Sequence, residues 1–205
     1  MKRFGFFWMM AACIATAALS SCIDTSDETK EVGYTLTEAQ QKQCSLAVMG
    51  NYEGQLLYLK TAAAEKPDTL KQQTWSIAND TVLTIHDFPL STLAGYANSE
   101  KVKTALEEAE PIDIEAHLYY QQLTPSIGFY VAGQPSYLTL HIDDTTTRAL
   151  LVFYISYAGY YSSGAYWAEA RQMQMQLLVA GVYADGSSSS MLTGSPMLVW
   201  SQRYE

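Results

Sequence analysis

The residues best suited to chemistry are few. All three histidines fall in segments that read as strands with a carboxylate nearby: His86 beside Asp87, Glu115 two residues before His117, and His141 two residues before Asp143. Spacing of two on a strand puts both side chains on one face, so facing strands could bring imidazole and carboxylate together as zinc or copper ligands. The same positions are the polar faces of amphipathic strands, and no metal or cofactor is assigned to them. A second candidate is aromatic. In "FYISYAGYYSSGAYW", which begins within a strand read over "RALLVFYISYAGYY" (148–161), Phe153, Ile155, Tyr157 and Tyr161 share a face and Tyr154 and Tyr160 take the other. Clustered tyrosines stack on sugar rings or grip a peptide while their hydroxyls bond outward, which makes Tyr154, Tyr160, Tyr166 and Trp167 the candidate ligand-binding residues. Such residues are also what half-buried strands prefer. Hydrolytic signatures are missing: there is no Gly-x-Ser-x-Gly elbow, no His-Glu-x-x-His and no phosphate-cradling glycine loop. Cys44 has no histidine near it in sequence and reads as a small apolar helix residue. The chain is therefore expected to be non-catalytic.

The most specific chemistry lies near the N-terminus. Lys2 and Arg3 precede sixteen uncharged, mostly apolar residues, Phe4 to Leu19. This is the layout of a secretory signal, and it falls short of the about 20 residues a membrane-spanning helix needs. Leu19-Ser20-Ser21-Cys22 then resembles the bacterial lipobox, in which small residues fit the lipoprotein signal peptidase and the cysteine thiol accepts diacylglycerol. Residues 1–21 are read as the removed signal, Cys22 as the lipidated terminus, and 22–34 as an acidic flexible tether. Each buried acyl CH₂ contributes about 0.8 kcal/mol, so several chains on one cysteine hold firmly. Ile23 follows Cys22 where an inner-membrane retention signal would carry an acidic residue, so the outer membrane is the expected address, on its periplasmic or cell-surface face. Ser26-Asp27-Glu28 resembles the acidic surface-export signal of Bacteroidetes lipoproteins.

Composition sets further bounds. The chain has 12 Lys plus Arg against 21 Asp plus Glu, a formal charge of −9. Loss of Lys2 and Arg3 with the signal makes the remainder more acidic. Such a surface repels phosphate backbones, and no basic cluster interrupts it, which argues against nucleic acid as a partner. With Cys13 in the signal and Cys22 acylated, Cys44 has no disulfide partner, so burial must supply the stability.

The elements that would position these residues form one domain, 35–205. Thr35 and Glu38 stand at capping-box spacing before a helix whose apolar residues are Leu36, Ala39, Cys44, Leu46 and Ala47, ending near Gly50. "NYEGQLLYLKTA" starts a strand, and "QQTWSIANDTVLTIHDF" reads as a hairpin turning at Asn79-Asp80. Between Pro89 and Glu110 the pattern turns helical, with Val102, Ala105, Leu106 and Ala109 on one face and Pro111 as terminator. A meander of strands follows. Ile112, Ile114, Ala116 and Leu118 oppose Asp113, Glu115 and His117, and Leu138, Leu140 and Ile142 oppose Tyr137, Thr139 and His141. A mainly β fold is predicted, an antiparallel meander closed as a barrel or packed as a two-layer sandwich, with an N-terminal helix and one short inserted helix.

Gly50-Asn51-Tyr52-Glu53-Gly54, entered from a helix, is similar to the Gly-x-Trp entrance of lipocalin and calycin barrels, with Tyr52 in the tryptophan's place. The whole chain, with "GNYEGQLLYL" and "WSIANDTVLTIHDFPLSTLA", looks like small Bacteroides lipoproteins known only as a domain of unknown function. That resemblance implies an envelope location and a β-rich fold, and brings no catalytic residues. Asp68-Thr69-Leu70, Asp80-Thr81-Val82 and Asp144-Thr145-Thr146 resemble the Asp-Ser/Thr-x pattern of O-glycosylation in Bacteroides envelope proteins. The expected activity is binding of a glycan or small apolar molecule by a membrane-anchored domain. The alternative is an accessory subunit of an outer-membrane protein complex. An open apolar cavity would favour the first, and a filled core beside an exposed aromatic patch the second.

Overall fold

A computed structural model of the chain describes residues 36–78 and 81–202. Cys22, the tether and the turn at Asn79-Asp80 lie outside the described residues. Thr37 starts helix α1 (Glu38–Val48): its hydroxyl accepts from the Gln40 amide, and the Gln40 side chain accepts from the Thr37 amide at 2.9 Å. The capping box is therefore Thr37/Gln40, two residues later than the Thr35/Glu38 pair expected from spacing. The apolar face also differs. Cys44, Ser45 and Val48 are buried and Leu46 is 60% exposed, so the buried residues of α1 lie in its C-terminal half and leave Leu46 on the outer side.

Strand β1 (Gly50–Tyr58) pairs with β2 (Asp68–Ala78), which pairs with β3 (Val82–Phe88). A 3-10 helix (Leu90–Tyr96) and helix α2 (Glu100–Glu107, capped by Ser99) connect β3 to β4 (Ile112–Gln122). Val102, Ala105 and Leu106 of α2 are buried, as the spacing predicted, and Ala109 packs against the core just beyond the helix. Then come β5 (Ile127–Gly133), β6 (Ser136–Ile142), β7 (Thr145–Tyr154), a small hairpin of β8 (Ser156–Tyr157) and β9 (Tyr160–Tyr161), β10 (Ser163–Trp167), β11 (Gln172–Ala184) and β12 (Met197–Ser201). All pairings are antiparallel.

Closure decides between barrel and sandwich. The last strand returns to the first, with Gln55 opposite Ser201 and Tyr58 opposite Leu198. The ring β1-β2-β3-β4-β5-β10-β11-β12 is then complete, an eight-stranded antiparallel barrel. Closing the ring removes the unpaired edges that an open sheet would offer to aggregation. Alternation does the rest: β4 buries Ile114, Ala116, Leu118 and Tyr120 and exposes the residues between them. Gly54 lets the wall curve tightly, since a Cβ there would stand 2.3 Å from the Ser201 carbonyl oxygen.

Side chains fill the interior. Trp75, Trp200, Phe88, Leu56, Ile85 and Leu118 are among the largest fully buried groups. Tyr52 stacks on Trp75 at 5.9 Å, meets Tyr166 edge-on at 6.3 Å, and donates its hydroxyl to the Val48 carbonyl, joining β1 to the end of α1. Eight strands leave just enough room for such a filling. Among the described residues, no helix is long and apolar enough to cross a membrane.

Candidate functional site: an aromatic hairpin on the barrel wall

The segment expected to run as one strand from Arg148 to Tyr161 does not. Strand β7 ends with Tyr154 opposite Leu178, and β10 resumes with Ser163 opposite Gln176. The two are halves of a single stave along β11, and residues 155–161 leave it as a hairpin before the chain returns at Ser162. The alternation predicted past Tyr154 fails for this reason. Ser162, fully buried, joins the halves. Its hydroxyl donates to the Tyr154 carbonyl at 2.5 Å and accepts the Leu178 amide at 2.9 Å, while its backbone bonds Ile155 and Val131. The side chain thus stands in for a ladder bond that the excursion removes. The hairpin turns at Ala158 and Gly159, both with positive φ (51° and 84°), which suits the right-handed twist of a two-residue connection.

The hairpin carries apolar surface outward. Ile155 is 53% exposed, Tyr157 52%, Tyr160 57% and Tyr161 46%. Tyr157 stacks on Tyr154 with ring centroids 4.8 Å apart and planes 9° from parallel. Tyr161 packs on Tyr130 of β5 at 5.4 Å, and Tyr130 is cross-strand partner to the exposed Tyr119 of β4. An aromatic belt therefore runs from β4 across β5 to the hairpin.

Of the four residues singled out in the sequence, Tyr154 and Tyr160 belong to this belt. Tyr166 is buried against Tyr52 inside the barrel, and Trp167 is half-buried at the far end of β10, so the four do not converge. Tyr157, Tyr161, Tyr130 and Tyr119 take their place. Tyr119 was legible, because it follows Asp113, Glu115 and His117 on the outward face of β4. Tyr157 and Tyr161 required knowing that the strand stops at Tyr154.

The histidines stand apart from one another. His86 on β3 lies 2.9 Å from the Ser76 hydroxyl and 3.5 Å from Asp113, and His141 on β6 lies 3.3 Å from the Thr146 hydroxyl. His117 is exposed on β4. Among the described residues no three metal-ligating side chains gather. Cys44 is sealed on the buried side of α1, where desolvation pushes its thiol above the usual range. Asp68-Thr69 opens β2, with Asp68 held by Lys60 at 2.7 Å, and Asp144-Thr145 sits exposed at the β6–β7 turn.

Fold and surface together define a closed antiparallel barrel with a packed interior and an external aromatic ribbon. No curated protein and no solved structure matches the chain. It belongs to the DUF4840 family, a domain of unknown function, with residues 47–184 matched. The matched span runs from the end of α1 through β11 and includes the hairpin; β12 lies beyond it.

Proposed function

We propose that this chain is a lipid-anchored, non-catalytic domain of the bacterial envelope that docks on another envelope protein through the tyrosine hairpin. The observation that carries this reading is residues 155–161: the stave is continuous in register without them, yet they place Ile155, Tyr157, Tyr160 and Tyr161 in solvent. Exposed clusters of large apolar groups mark interaction sites, and tyrosine is enriched at protein interfaces because one side chain supplies both area and a hydroxyl. The packed interior argues against a small apolar molecule held inside the barrel. The self-stacked Tyr154–Tyr157 pair favours a protein over a sugar ring, since each ring already covers one face of the other. A glycan is the second reading, because Tyr160 stands in no ring pair among the described residues. The lipobox at Leu19–Cys22 supports the anchor.

A photo-crosslinking residue at Tyr157 or Tyr160 in the native host should give one discrete protein adduct, absent with the probe at Thr74 on the opposite wall. Glycan capture with no protein adduct would overturn the docking assignment. Metabolic labelling with an alkyne fatty acid tests the anchor separately, with label expected on the wild type and none on Cys22→Ala.

A further inference from the structure

The eight staves of the barrel divide by charge. Outward positions on β1 to β4 include Glu53, Lys71, Asp87, Asp113 and Glu115, all exposed. The other four staves, β5, β10, β11 and β12, carry no Asp, Glu, Lys or Arg anywhere along their length. Residues 155–161, which rise from this side, have none either. In a chain of formal charge −9 the neutral wall is therefore a feature of one side. Depletion of charge is what distinguishes the core of a protein interface from the rest of a surface.

The neutral wall also has relief. Its register lays one row across β5, β10 and β11 as Tyr130, Ser163 and Gln176, and the next as Gly128, Ala165 and Gln174. Trp167 stands opposite Gln172 two residues further along. The hairpin lies on the first row: Tyr161 packs on Tyr130 at 5.4 Å, and its carbonyl accepts from the Gln176 side chain at 2.7 Å. The second row is flat, because Gly128 and Ala165 have almost no side chain. Gln174 therefore stands between a ridge at one end and low ground at the other. Gln172 and Gln176 are engaged within the chain, whereas the part-exposed Gln174 side chain bonds to no described residue.

These features are complementary to themselves. A two-fold interface sets one patch against its own copy. A glutamine amide suits this, since it both donates and accepts, so two Gln174 side chains on the axis can exchange both bonds. An axis lying in the contact plane and crossing β11 at right angles through Gln174 runs the two β11 strands antiparallel. Gln172 of each copy then meets Gln176 of the other, and each hairpin comes over the low end of the other wall, beside the half-buried Trp167. The charged staves end up on the outside of the pair, separated by both barrels. That is far beyond the screening length of about 8 Å at physiological ionic strength.

Resting on the reading that the hairpin docks on a protein, we infer that this protein is a second copy of the chain, joined back to back through β5, β10, β11 and the hairpin, with Gln174 on the two-fold axis. A partner of different sequence gains nothing from the symmetry of the wall. A second copy necessarily brings the neutral face, the ridge and the low ground in matching places.

The test is made in the envelope of the native host with two differently tagged forms of the full chain. A photo-crosslinking residue at Tyr160 should join one tagged form to the other. Gln174→Cys, on the axis, should give a disulfide-linked dimer on mild oxidation, and Thr74→Cys, on a stave across the ring from β10, should give none. Gln174→Glu and Gln174→Lys each set like charges against one another and should cut the photo-adduct by about tenfold. Co-expressing the two should restore it, which also shows that both variants fold. An adduct made only with a different protein would overturn the inference and leave docking by the hairpin standing. The absence of any protein adduct would overturn both. No dimer from Gln174→Cys, or no recovery in the Glu/Lys mixture, would overturn the two-fold arrangement and the inference with it.

Discussion

Ser162 shows how much one hydroxyl can carry. It satisfies the Tyr154 carbonyl and the Leu178 amide at the point where the stave is spliced, and it is fully buried, so no water replaces it. Ser162→Ala leaves a buried amide without a partner, a loss of about 1–3 kcal/mol. A thermal melt should show this as a drop of roughly 3–10 °C for a chain of this size. Exchange at the Leu178 amide should accelerate ahead of its neighbours. Tyr52 carries a second prediction. Burial, followed by the nearby Tyr166 and Tyr120 phenols, pushes its pKa well above the ordinary tyrosine value. The folded chain therefore keeps a proton that the unfolded chain releases near pH ~10, and stability falls as pH rises beyond that point. Tyr52→Phe should cost about 1 kcal/mol at neutral pH by losing the bond to the Val48 carbonyl. It should also lose less stability than the wild type between neutral pH and pH above ~10, measured by urea midpoints. The flattening is partial, because Tyr58 and Tyr96 are shifted the same way by burial. None of this was legible in the sequence: nothing there marks Ser162 as buried, and Tyr52 reads as a residue at a strand entrance.

At the scale of elements, the legible features were those whose signal is local. The inserted helix, its apolar residues and the alternation of β4 and β6 follow from periods of 3.6 and 2. The start of α1 was misplaced because two threonines, Thr35 and Thr37, each have Glu or Gln three residues on, and spacing alone does not choose between them. The hairpin was hidden for a similar reason. Tyrosine and isoleucine favour strands whether or not the strand stays in the sheet, so propensity extends β7 smoothly into a segment that leaves it. This gives a sharp prediction. Excising residues 155–161 joins Tyr154 directly to Ser162 and keeps their alternation, inward and outward, opposite β11. The shortened chain should give an unchanged far-UV spectrum and a cooperative melt within a few degrees of the wild type, and should lose its crosslinked partner. Collapse of the fold would instead make the hairpin structural.

For the whole molecule, a mainly β antiparallel fold could be read from the meander, whereas barrel against sandwich could not. Closure depends on the β1–β12 register, a contact between the two ends of the domain that no local pattern encodes. That contact also sets a limit on fragments. A chain stopped at Pro196 exposes the edges of β1 and β11 and removes Trp200, whose fully buried ring lies 6.0 Å from Phe88. Loss of a buried tryptophan costs about 3–5 kcal/mol before the open edges are considered. Such a chain should elute as aggregate on size exclusion and show no cooperative melt; a stable monomer would mean that β12 is dispensable. Because β12 follows the other seven strands of the ring in sequence, the barrel cannot close until β12 has been synthesised. Until then the other seven strands have no closing partner, and the ring stays an unsealed sheet.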